Sequence, residues 1–251
     1  MGAALLGGLI AGGWAPVSEL AVSEPDRDQR RRLTEAHPGL MVVDGMVPAD
    51  GAVLAVKPDV AEAVLRTMAA VGITRVLSIV AGLSSARLEA ALQPGDVVVR
   101  AMPNTPALVG SGVAGMSGGS VAQAADLDWA EGILASVGSV VRLPERHLDA
   151  VTGVSGSGPA YVFLVAEAMI EAGVSAGLTR AVSRQLVVGT ILGSARMMAE
   201  TGEDPAELRA AVTSPGGTTA AALRTLEFKA VRSAFIEAVA AATERSKQLG
   251  R

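Results

Sequence analysis

Short apolar runs alternate with helical patterns over the first half of the chain. The runs are rich in Val, Leu, Ile and Ala, as is typical of strands that are buried on both faces of a parallel sheet. They cover residues 20–23, 40–43, 52–56, 76–80 and 97–99. Helical spacing falls between them, at residues 25–36, 59–70 and 84–92. This β-α-β-α order between Ser18 and Leu143 predicts an α/β fold with a doubly wound parallel (Rossmann-like) sheet.

The alternation of strands and helices stops around Arg142, and the rest of the chain has helical patterns only. We predict helices at residues 145–151, 160–172, 180–200, 205–211, 218–226 and 230–249. The Gly- and Ser-rich stretch Val154–Pro159 predicts a loop that interrupts these helices. We therefore divide the chain into a sheet domain at residues 1–143 and an all-helical domain at residues 144–251.

Composition narrows the possible functions. The chain has 251 residues, a net charge of −4 and no cysteine. The charge offers no general attraction for nucleic acid. The lack of cysteine excludes disulfides, thiol nucleophiles and cysteine-ligated metals, and His37 and His147 are the only histidines, so we expect no metal site. These features favour a cytoplasmic enzyme.

The apolar stretch Met1–Trp14 has no basic segment before it and is short and rich in glycine. A signal peptide or a membrane span requires a longer or differently flanked run. We interpret it as a buried helix of a soluble fold, and we expect no contact with a membrane.

One loop in the helical half has the composition of an anion site. Pro215, Gly216 and Gly217 separate two helical patterns, and Thr218 and Thr219 follow at once. A helix that starts there presents unpaired N–H groups and a positive dipole end, which suit a carboxylate or a phosphate. Ser214 and the two threonines add hydroxyl groups. The alternative is an ordinary helix–helix turn with Thr218 as the N-cap.

The longer pattern around this loop is Pro205, Leu208, Val212-Thr213-Ser214, Gly216-Gly217, Thr219, Leu223 and Leu226-Glu227. It resembles the signature of pyrroline-5-carboxylate reductases, the enzymes of the last step of proline synthesis. Two further blocks, Arg100–Pro106 and Leu148–Tyr161, resemble the same family. With three motifs in order, the resemblance covers nearly the whole chain. It implies reduction of Δ1-pyrroline-5-carboxylate to L-proline with NAD(P)H, and a homodimer formed by the C-terminal helices, with a higher oligomer as an open alternative.

The same resemblance implies a set of site residues. The N–H groups of Gly217, Thr218 and Thr219, with the Ser214 hydroxyl, would bind the substrate carboxylate. Thr219 is the catalytic candidate, because its hydroxyl would contact the ring nitrogen. The cofactor candidates combine this resemblance with the position of turns at the carboxyl ends of strands, and they are Gly2, Ser23, Pro25, Arg27, Ala55, Val56, Lys57, Pro58, Val80, Ala81, Gly82 and Asn104.

The preferred cofactor is open at this stage. Glu24 is suited to a ribose 2′-hydroxyl, whereas Arg27 and the arginines at 30–32 are suited to a 2′-phosphate. A solvated helix face explains the arginines equally well. The resemblance favours NADP (as NADPH), with NAD as the alternative.

Two stretches depart from the family pattern. A dinucleotide fold begins with a strand and G-x-G-x-x-G, whereas Met1–Leu5 resembles only the end of that turn. We therefore expect the sequence as given to lack the first strand and the first glycines. Near the other end, Leu226–Arg232 lacks the expected pair of glycines, so we expect a reshaped turn there.

Two alternatives belong to other functional classes. A two-domain hydroxyacid dehydrogenase would carry a Lys and an Asn on the helix from Ala160, and neither is present. A non-catalytic dimer that senses a cofactor is suggested by the missing first strand. The lack of a catalytic dyad does not count against a reductase, because the cofactor supplies the difficult chemistry.

Overall fold

The computed structural model describes residues 1–250, which form two compact units. The first unit contains Met1–Ser157 and the residues from Ala240 onwards, and the second contains Gly158–Val239. Compactness therefore divides the chain after Ser157, later than the predicted domain boundary at 143. Leu148 explains part of this difference, because its side chain is buried in the first unit.

The first unit is an α/β structure, as predicted. Its strands are β1 (Ala21–Ser23), β2 (Met41–Val43), β3 (Ala52–Leu54), β4 (Arg75–Ser78), β5 (Val97–Met102), β6 (Gly112–Gly118) and β7 (Gly138–Arg142). Its helices are α1 (Gly2–Ala11), α2 (Arg27–Ala36), α3 (Ala61–Ala70), α4 (Ser85–Glu89), α5 (Ala124–Ala135) and α6 (Leu148–Val151). The predicted helix at the start of the chain is confirmed, and it buries Leu5, Leu6 and Leu9.

The strands form a two-stranded parallel sheet, β1-β2, and a five-stranded sheet in the order β3-β4-β5-β6-β7. The predicted parallel pairing is confirmed for β3-β4-β5, where Ala52 lies opposite Val76 and Arg75 lies opposite Val97. The strands β5 and β6 pair antiparallel, so the sheet is mixed. Val56 and Val80 lie beyond the ends of β3 and β4, where the prediction had extended both strands.

The prediction missed β6, α5 and β7. β6 was missed because Gly, Ser and Ala dominate its sequence and such residues have low strand propensity. Its glycines serve packing: a Cβ on Gly115 would lie 2.9 Å from the methyl groups of Val151. α5 begins with a capping box between Gln123 and Asp126.

Apolar side chains cover both faces of the larger sheet. Successive residues of β5 point to opposite faces, so Val98 joins one cluster and Val99 the other. The cluster around Val99 includes Leu5 of α1 and Ile133 of α5. The cluster around Val98 includes Leu65 of α3 and Leu88 of α4. Because β3, β4 and β5 are parallel, the turns that follow them lie at one edge of the sheet.

The second unit is helical. It contains α7 (Gly158–Ser175), α8 (Arg180–Thr201), α9 (Pro205–Ala211), α10 (Thr218–Phe228) and the first half of α11 (Val231–Leu249). α7 packs closely on α8, because the hydroxyl of buried Ser183 donates to the carbonyl of Ile170 and Gly173 leaves room for it. Many apolar side chains of this unit are exposed, among them Phe163, Leu164, Leu186, Leu192, Met197, Phe228 and Ile236.

The predicted Gly/Ser loop at Val154–Pro159 is wrong. Residues Thr152–Gly156 form a π-helical segment that follows α6, and α7 starts at Gly158. The hydroxyls of Thr152 and Ser155 donate to the carbonyls of Leu148 and Val151 within the helix. These bonds suit Ser and Thr to a helix that composition alone marks as a loop. π-helical turns of this kind are frequent at functional sites.

Candidate functional site

The turns after β3, β4 and β5 contain most of the predicted cofactor residues. Ala55 follows β3, and its methyl group lies beside the start of α1: a Cβ on Gly2 would be 3.1 Å from that of Ala55. The first turn of α1 therefore approaches the β3 turn closely. Lys57 is exposed and precedes a short 3₁₀ turn that begins with Pro58. A helix N-terminus suits an anionic group, and Lys57 adds a positive charge to the same turn.

The end of helix α11 packs against the turn after β4. Val80 is buried and Ala81 is exposed. Gly82 has a φ of +81°, and a Cβ there would lie 3.2 Å from the carbonyl group of Leu249. A residue with a side chain would be strained at this φ and crowded by the helix. The end of α11 thus lies against a turn that was predicted to contact the cofactor.

The side chain of Asn104 braces the turn after β5. Asn104 is only 7% exposed, and its Oδ1 accepts a hydrogen bond of 2.9 Å from the N–H of Val113. Its Nδ2 donates to the carbonyl of Ser155 in the π-helical segment at 3.1 Å. The same segment packs on the end of β5, because a Cβ on Gly156 would lie 2.9 Å from the methyl group of Met102. Contact of Asn104 with a nicotinamide stays a prediction.

The predicted residues around β1 lie on the surface. Ser23, Pro25 and Arg27 are all exposed, and Arg27 has no ion pair among residues 1–250. Arg30 donates to the carbonyls of Glu24 and Pro25, at 2.8 and 2.7 Å, and so stabilises the turn after β1. Arg27 is therefore better placed than Arg30 to meet a phosphate.

The side chain of Glu24 is engaged in the same turn. Its carboxylate accepts the N–H of Asp26 at 2.9 Å. Asp26 in turn caps α2 by accepting the N–H of Gln29. Arg31 pairs with Asp28 on the solvent side of α2. Part of the arginine cluster is thus a solvated helix face, which was one of the two interpretations of the sequence.

The loop between α9 and α10 has the predicted helix start. Gly217, and not Thr218, is the N-cap of α10, and no side chain caps this helix. The first helical bond runs from the N–H of Ala221 to the carbonyl of Gly217. The N–H groups of Thr218, Thr219 and Ala220 therefore have no intrahelical acceptor.

Gly217 has a different part in this loop from the one predicted. Its N–H donates to the carbonyl of Ser214 at 3.1 Å, so it is engaged within the turn. Its lack of a side chain is what the loop requires, because the hydroxyl of Ser214 occupies the space where a Cβ would be. Gly216 has a φ of +71° and closes the turn. Ser214 and Thr218 are exposed, and Thr219 is half-buried.

Sequence reasoning missed a partly buried ion pair in the first unit. Arg100 in β5 is only 8% exposed, and its guanidinium lies 3.1 Å from Oε1 of Glu145. The same oxygen accepts the N–H of Ser85 at the start of α4, at 2.6 Å. Burial raises the pKa of Glu145, but the hydrogen bonds from Ser85 and Arg100 outweigh it, so the pKa lies below its usual value. A charged residue inside an apolar strand was the available signal, because a buried charge requires a partner.

A cavity lies at the opposite edge of the sheet. It measures about 430 Å³ and opens at the amino ends of β4 and β5, beside Arg75 and Asp126. Arg75 is engaged there, since its guanidinium lies 4.7 Å from the ring centre of Trp129 and 3.7 Å from the Asp126 carboxylate. Ligands of parallel sheets bind at the carboxyl ends of strands, so this cavity is not the candidate site.

The described residues bear on metal binding and on membrane contact. Within residues 1–250 no group of three or more His, Asp or Glu side chains could hold a metal ion, and the expectation of no metal stays a prediction. The helical run Glu145–Ser175 is long and apolar enough to cross a membrane by length and composition. A single run of this kind is weak evidence.

Comparison with known proteins identifies related sequences and structures. A family model described as pyrroline-5-carboxylate reductase dimerisation matches residues 145–249. A pyrroline-5-carboxylate reductase of Synechocystis sp. is 43% identical over 256 residues, which cover 100% of this chain and 95% of the relative. A solved pyrroline-5-carboxylate reductase from Coxiella burnetii has a TM-score of 0.92 at 34% identity, with 100% of this chain and 95% of that chain covered. A pyrroline carboxylate reductase of Plasmodium falciparum, solved with NADP bound, has a TM-score of 0.88 at 32% identity, with the same shares covered.

Proposed function

We propose roles for individual residues in the reaction that this chain catalyses. The chain belongs to the pyrroline-5-carboxylate reductase family, and it reduces the C=N bond of Δ1-pyrroline-5-carboxylate with NAD(P)H, which gives L-proline. The observation that supports these roles is the start of α10. Three successive N–H groups there have no intrahelical acceptor, and the hydroxyl groups of Ser214, Thr218 and Thr219 belong to the same short stretch. The substrate is a small ring with a carboxylate, and such a helix start attracts a carboxylate.

The carboxylate is held by backbone groups. The N–H groups of Thr218 and Thr219 donate to its oxygens, and the exposed hydroxyl of Ser214 donates a further hydrogen bond. Gly217 contributes by leaving room for that hydroxyl, because its own N–H is engaged with the carbonyl of Ser214. The N–H of Ala220 is a further donor that the sequence did not indicate.

Thr219 is the catalytic residue of this proposal. Its hydroxyl contacts the ring nitrogen and orients the C=N bond for reduction. A threonine hydroxyl is too weak an acid to supply a proton alone at neutral pH, so the proton arrives through water or on a protonated imine. The main contribution of the protein is orientation.

Nicotinamide dinucleotides, when bound, supply the hydride. The residues at the carboxyl edge of the sheet fit the phosphates of such a group, because the helix start at Gly2 lies against Ala55 and the exposed Lys57 is in the same turn. We assign Ala55, Val56, Lys57, Pro58, Val80, Ala81 and Gly82 to the cofactor. We assign Asn104 to the nicotinamide end, where its two hydrogen bonds hold it rigid.

The preference for NADPH depends on the turn after β1. The exposed guanidinium of Arg27, which has no ion pair among residues 1–250, suits a 2′-phosphate, with Ser23 and Pro25 lining the same turn. The Glu24 carboxylate already accepts a hydrogen bond from the N–H of Asp26, so it is less available to accept one from a ribose hydroxyl group. We therefore propose that NADPH is preferred over NADH.

The protein acts as a homodimer through its helical half, which the family's dimerisation model matches. The exposed apolar side chains of α7, α8 and α11 are of the kind that a partner copy covers. Burial of α7 in that interface also accounts for its apolar composition, so we propose that the protein makes no membrane contact and acts in the cytoplasm. Assembly of dimers into a higher oligomer is an open proposal.

The direct test compares threonine variants at the start and end of α10. Thr219→Val is expected to lower kcat by about 10²-fold with little change in NADPH binding, because only the orientation of the ring nitrogen is lost. Thr219→Ser should restore most of the activity. Thr225→Val is the matched control, since Thr225 lies on the same helix and donates only to the carbonyl of Ala221.

Two outcomes would contradict these roles. Unchanged kinetics of Thr219→Val would remove Thr219 from the mechanism. A wild-type protein that binds NADPH but does not oxidise it in the presence of the imine would favour the non-catalytic dimer.

A further inference from the structure

The end of α11 forms a close backbone contact with the turn after β4. A Cβ on Gly82 would lie 3.2 Å from the carbonyl carbon and oxygen of Leu249 and 3.3 Å from its Cβ. The approach is close from the other side as well, because a Cβ on Gly250 would meet the carbonyl oxygen of Gly82. A glycine on each side is what permits the two backbones to approach so closely.

The same part of α11 is anchored at a second point. Ser246 is only 4% exposed, although it lies one turn from the end of the helix. Its hydroxyl donates to Oδ1 of Asp149 in α6 at 2.7 Å. A buried hydroxyl bonded to a carboxylate is a strong attachment, because the bond is charge-assisted. We call Ser246–Gly250 the C-terminal turn.

We propose that the C-terminal turn is a positioning element of the cofactor site, which holds Val80–Gly82 in the conformation that binds the nicotinamide dinucleotide. This inference rests on the proposed cofactor role of Val80, Ala81 and Gly82. Turns that follow parallel strands are exposed loops, and ordering them on binding reduces affinity. Here Gly82 is buried under a helix end while Ala81 faces solvent, so the turn is ordered before the ligand arrives.

A positioning role makes a specific kinetic prediction. Loosening the C-terminal turn weakens cofactor binding, because the β4 turn must then be ordered at the expense of affinity. It leaves the hydride step unchanged, since no residue of the C-terminal turn is assigned to the substrate. The affinity for NADPH should therefore fall while kcat and the KM for the imine substrate stay the same.

The first variant removes the anchor without touching the β4 turn. Ser246→Ala deletes the hydroxyl that bonds Asp149, and we expect the Kd for NADPH to rise about fivefold, as measured by quenching of NADPH fluorescence. Hydrogen exchange of the Val80 and Ala81 amides should quicken in the same variant. Ser233→Ala is the matched control, because Ser233 lies on the same helix and bonds only the exposed Glu237.

The second variant tests the contact itself. Gly82→Ala places a Cβ against Leu249, and Gly72→Ala is its matched control. Gly72 has nearly the same φ, +83° against +81°, but a Cβ there has no atom within 4 Å. Both changes introduce the same backbone strain, so the difference between them reports what is specific to Gly82. Ser246→Ala leaves Gly82 unaltered, so it separates the contact with the C-terminal turn from the direct cofactor role of Gly82. We expect weaker NADPH binding for Gly82→Ala only.

The outcomes separate this inference from the proposed function. An unchanged Kd for NADPH in Ser246→Ala would overturn the inference, as would equal losses in Gly82→Ala and Gly72→Ala. A parallel loss of kcat in Ser246→Ala would also overturn it, since a general structural defect would then explain the effect. If the wild-type protein binds NADPH but does not reduce the imine, the proposed function is contradicted. The Kd for NADPH of Ser246→Ala against wild type would still test the role of the C-terminal turn.

Discussion

The two units of this chain differ in how their apolar side chains are placed. The first unit has an extensive core of its own, in which Leu54, Leu65 and Leu77 are fully buried. In the second unit Leu186 and Leu192 of α8 are more than half exposed. Exposed apolar surface of this kind marks a site where another protein surface packs. We therefore expect the cofactor turns of the first unit to stay ordered without a partner copy, and the second unit to depend on one.

The difference extends to the candidate site. The cofactor edge of the first unit is held by side-chain hydrogen bonds, such as those of Asn104 to Val113 and Ser155. The loop before α10 in the second unit is held by short-range hydrogen bonds within its own turn, with no side-chain cap on the helix. We therefore expect the substrate loop to depend on the dimer more strongly than the cofactor edge does.

The largest effect is expected from a charge on the exposed face of α8. Leu186→Glu places a carboxylate where we expect the partner copy to pack, and burial of an unpaired charge there would prevent association. Sedimentation should show mainly monomer at micromolar concentration, and reductase activity should fall by about tenfold or more. NADPH binding should persist, because the first unit encloses its own core.

The matched control for that change lies in the first unit. Val141 in β7 is exposed to a similar extent, 54% against 56% for Leu186. Val141→Glu should leave the dimer intact. A Leu186→Glu protein that sediments as a dimer with full activity would contradict the contrast between the units.

An intermediate effect is expected from the partly buried ion pair between Arg100 and Glu145 in the first unit. Glu145→Gln keeps an acceptor for Ser85 but leaves the buried Arg100 without a countercharge. The free energy of unfolding at pH 7 should fall by about 1 kcal/mol, a modest value because the Glu145 side chain is 34% exposed. Urea denaturation of the two proteins at equal concentration measures this difference.

The pH dependence of that difference has a definite sign. The pKa of Glu145 is lower in the folded protein than its usual value, because the hydrogen bonds from Ser85 and Arg100 outweigh burial. A lowered carboxyl pKa stabilises the folded state above the unfolded pKa of about 4.3, and this stabilisation is lost as the pH falls through the folded pKa. The wild-type advantage over Glu145→Gln should therefore shrink below about pH 4. An advantage that is constant from pH 7 to pH 3 would show that the charge of Glu145 does not matter.

Much of the first unit could be predicted because its strands are continuous apolar runs. The run at residues 76–80 locates β4 to within two residues, since buried parallel strands have few polar positions. β6 could not be predicted in this way. Gly112, Gly115 and Gly118 carry no hydrophobic signal, and they are required by packing against residues that are distant in sequence.

The candidate site was predictable where it depends on backbone and not where it depends on long-range contacts. Pro215 and the glycines after it marked the helix start at Thr218 from local sequence alone. The bond between Asn104 and Ser155 joins residues far apart in the chain, and no local pattern indicates it. The approach of Leu249 to Gly82 could not be predicted either, because these residues are also far apart in the chain.

The smallest effect concerns the turn between α10 and α11, where the sequence lacks the expected glycines. Ala230 has a φ of +55°, and every other described residue with positive φ is a glycine, including all of those in the first unit. Alanine in this conformation costs about 1 kcal/mol, whereas glycine adopts it freely but loses more entropy on folding. Ala230→Gly should therefore stabilise the protein by about 0.5 kcal/mol, measured as a higher urea midpoint. Ala241→Gly, at an exposed position within α11, should have the opposite sign and cost about 1 kcal/mol. A loss of stability in both variants would show that the second unit does not store strain at Ala230, and the contrast with the glycine turns of the first unit would then fail.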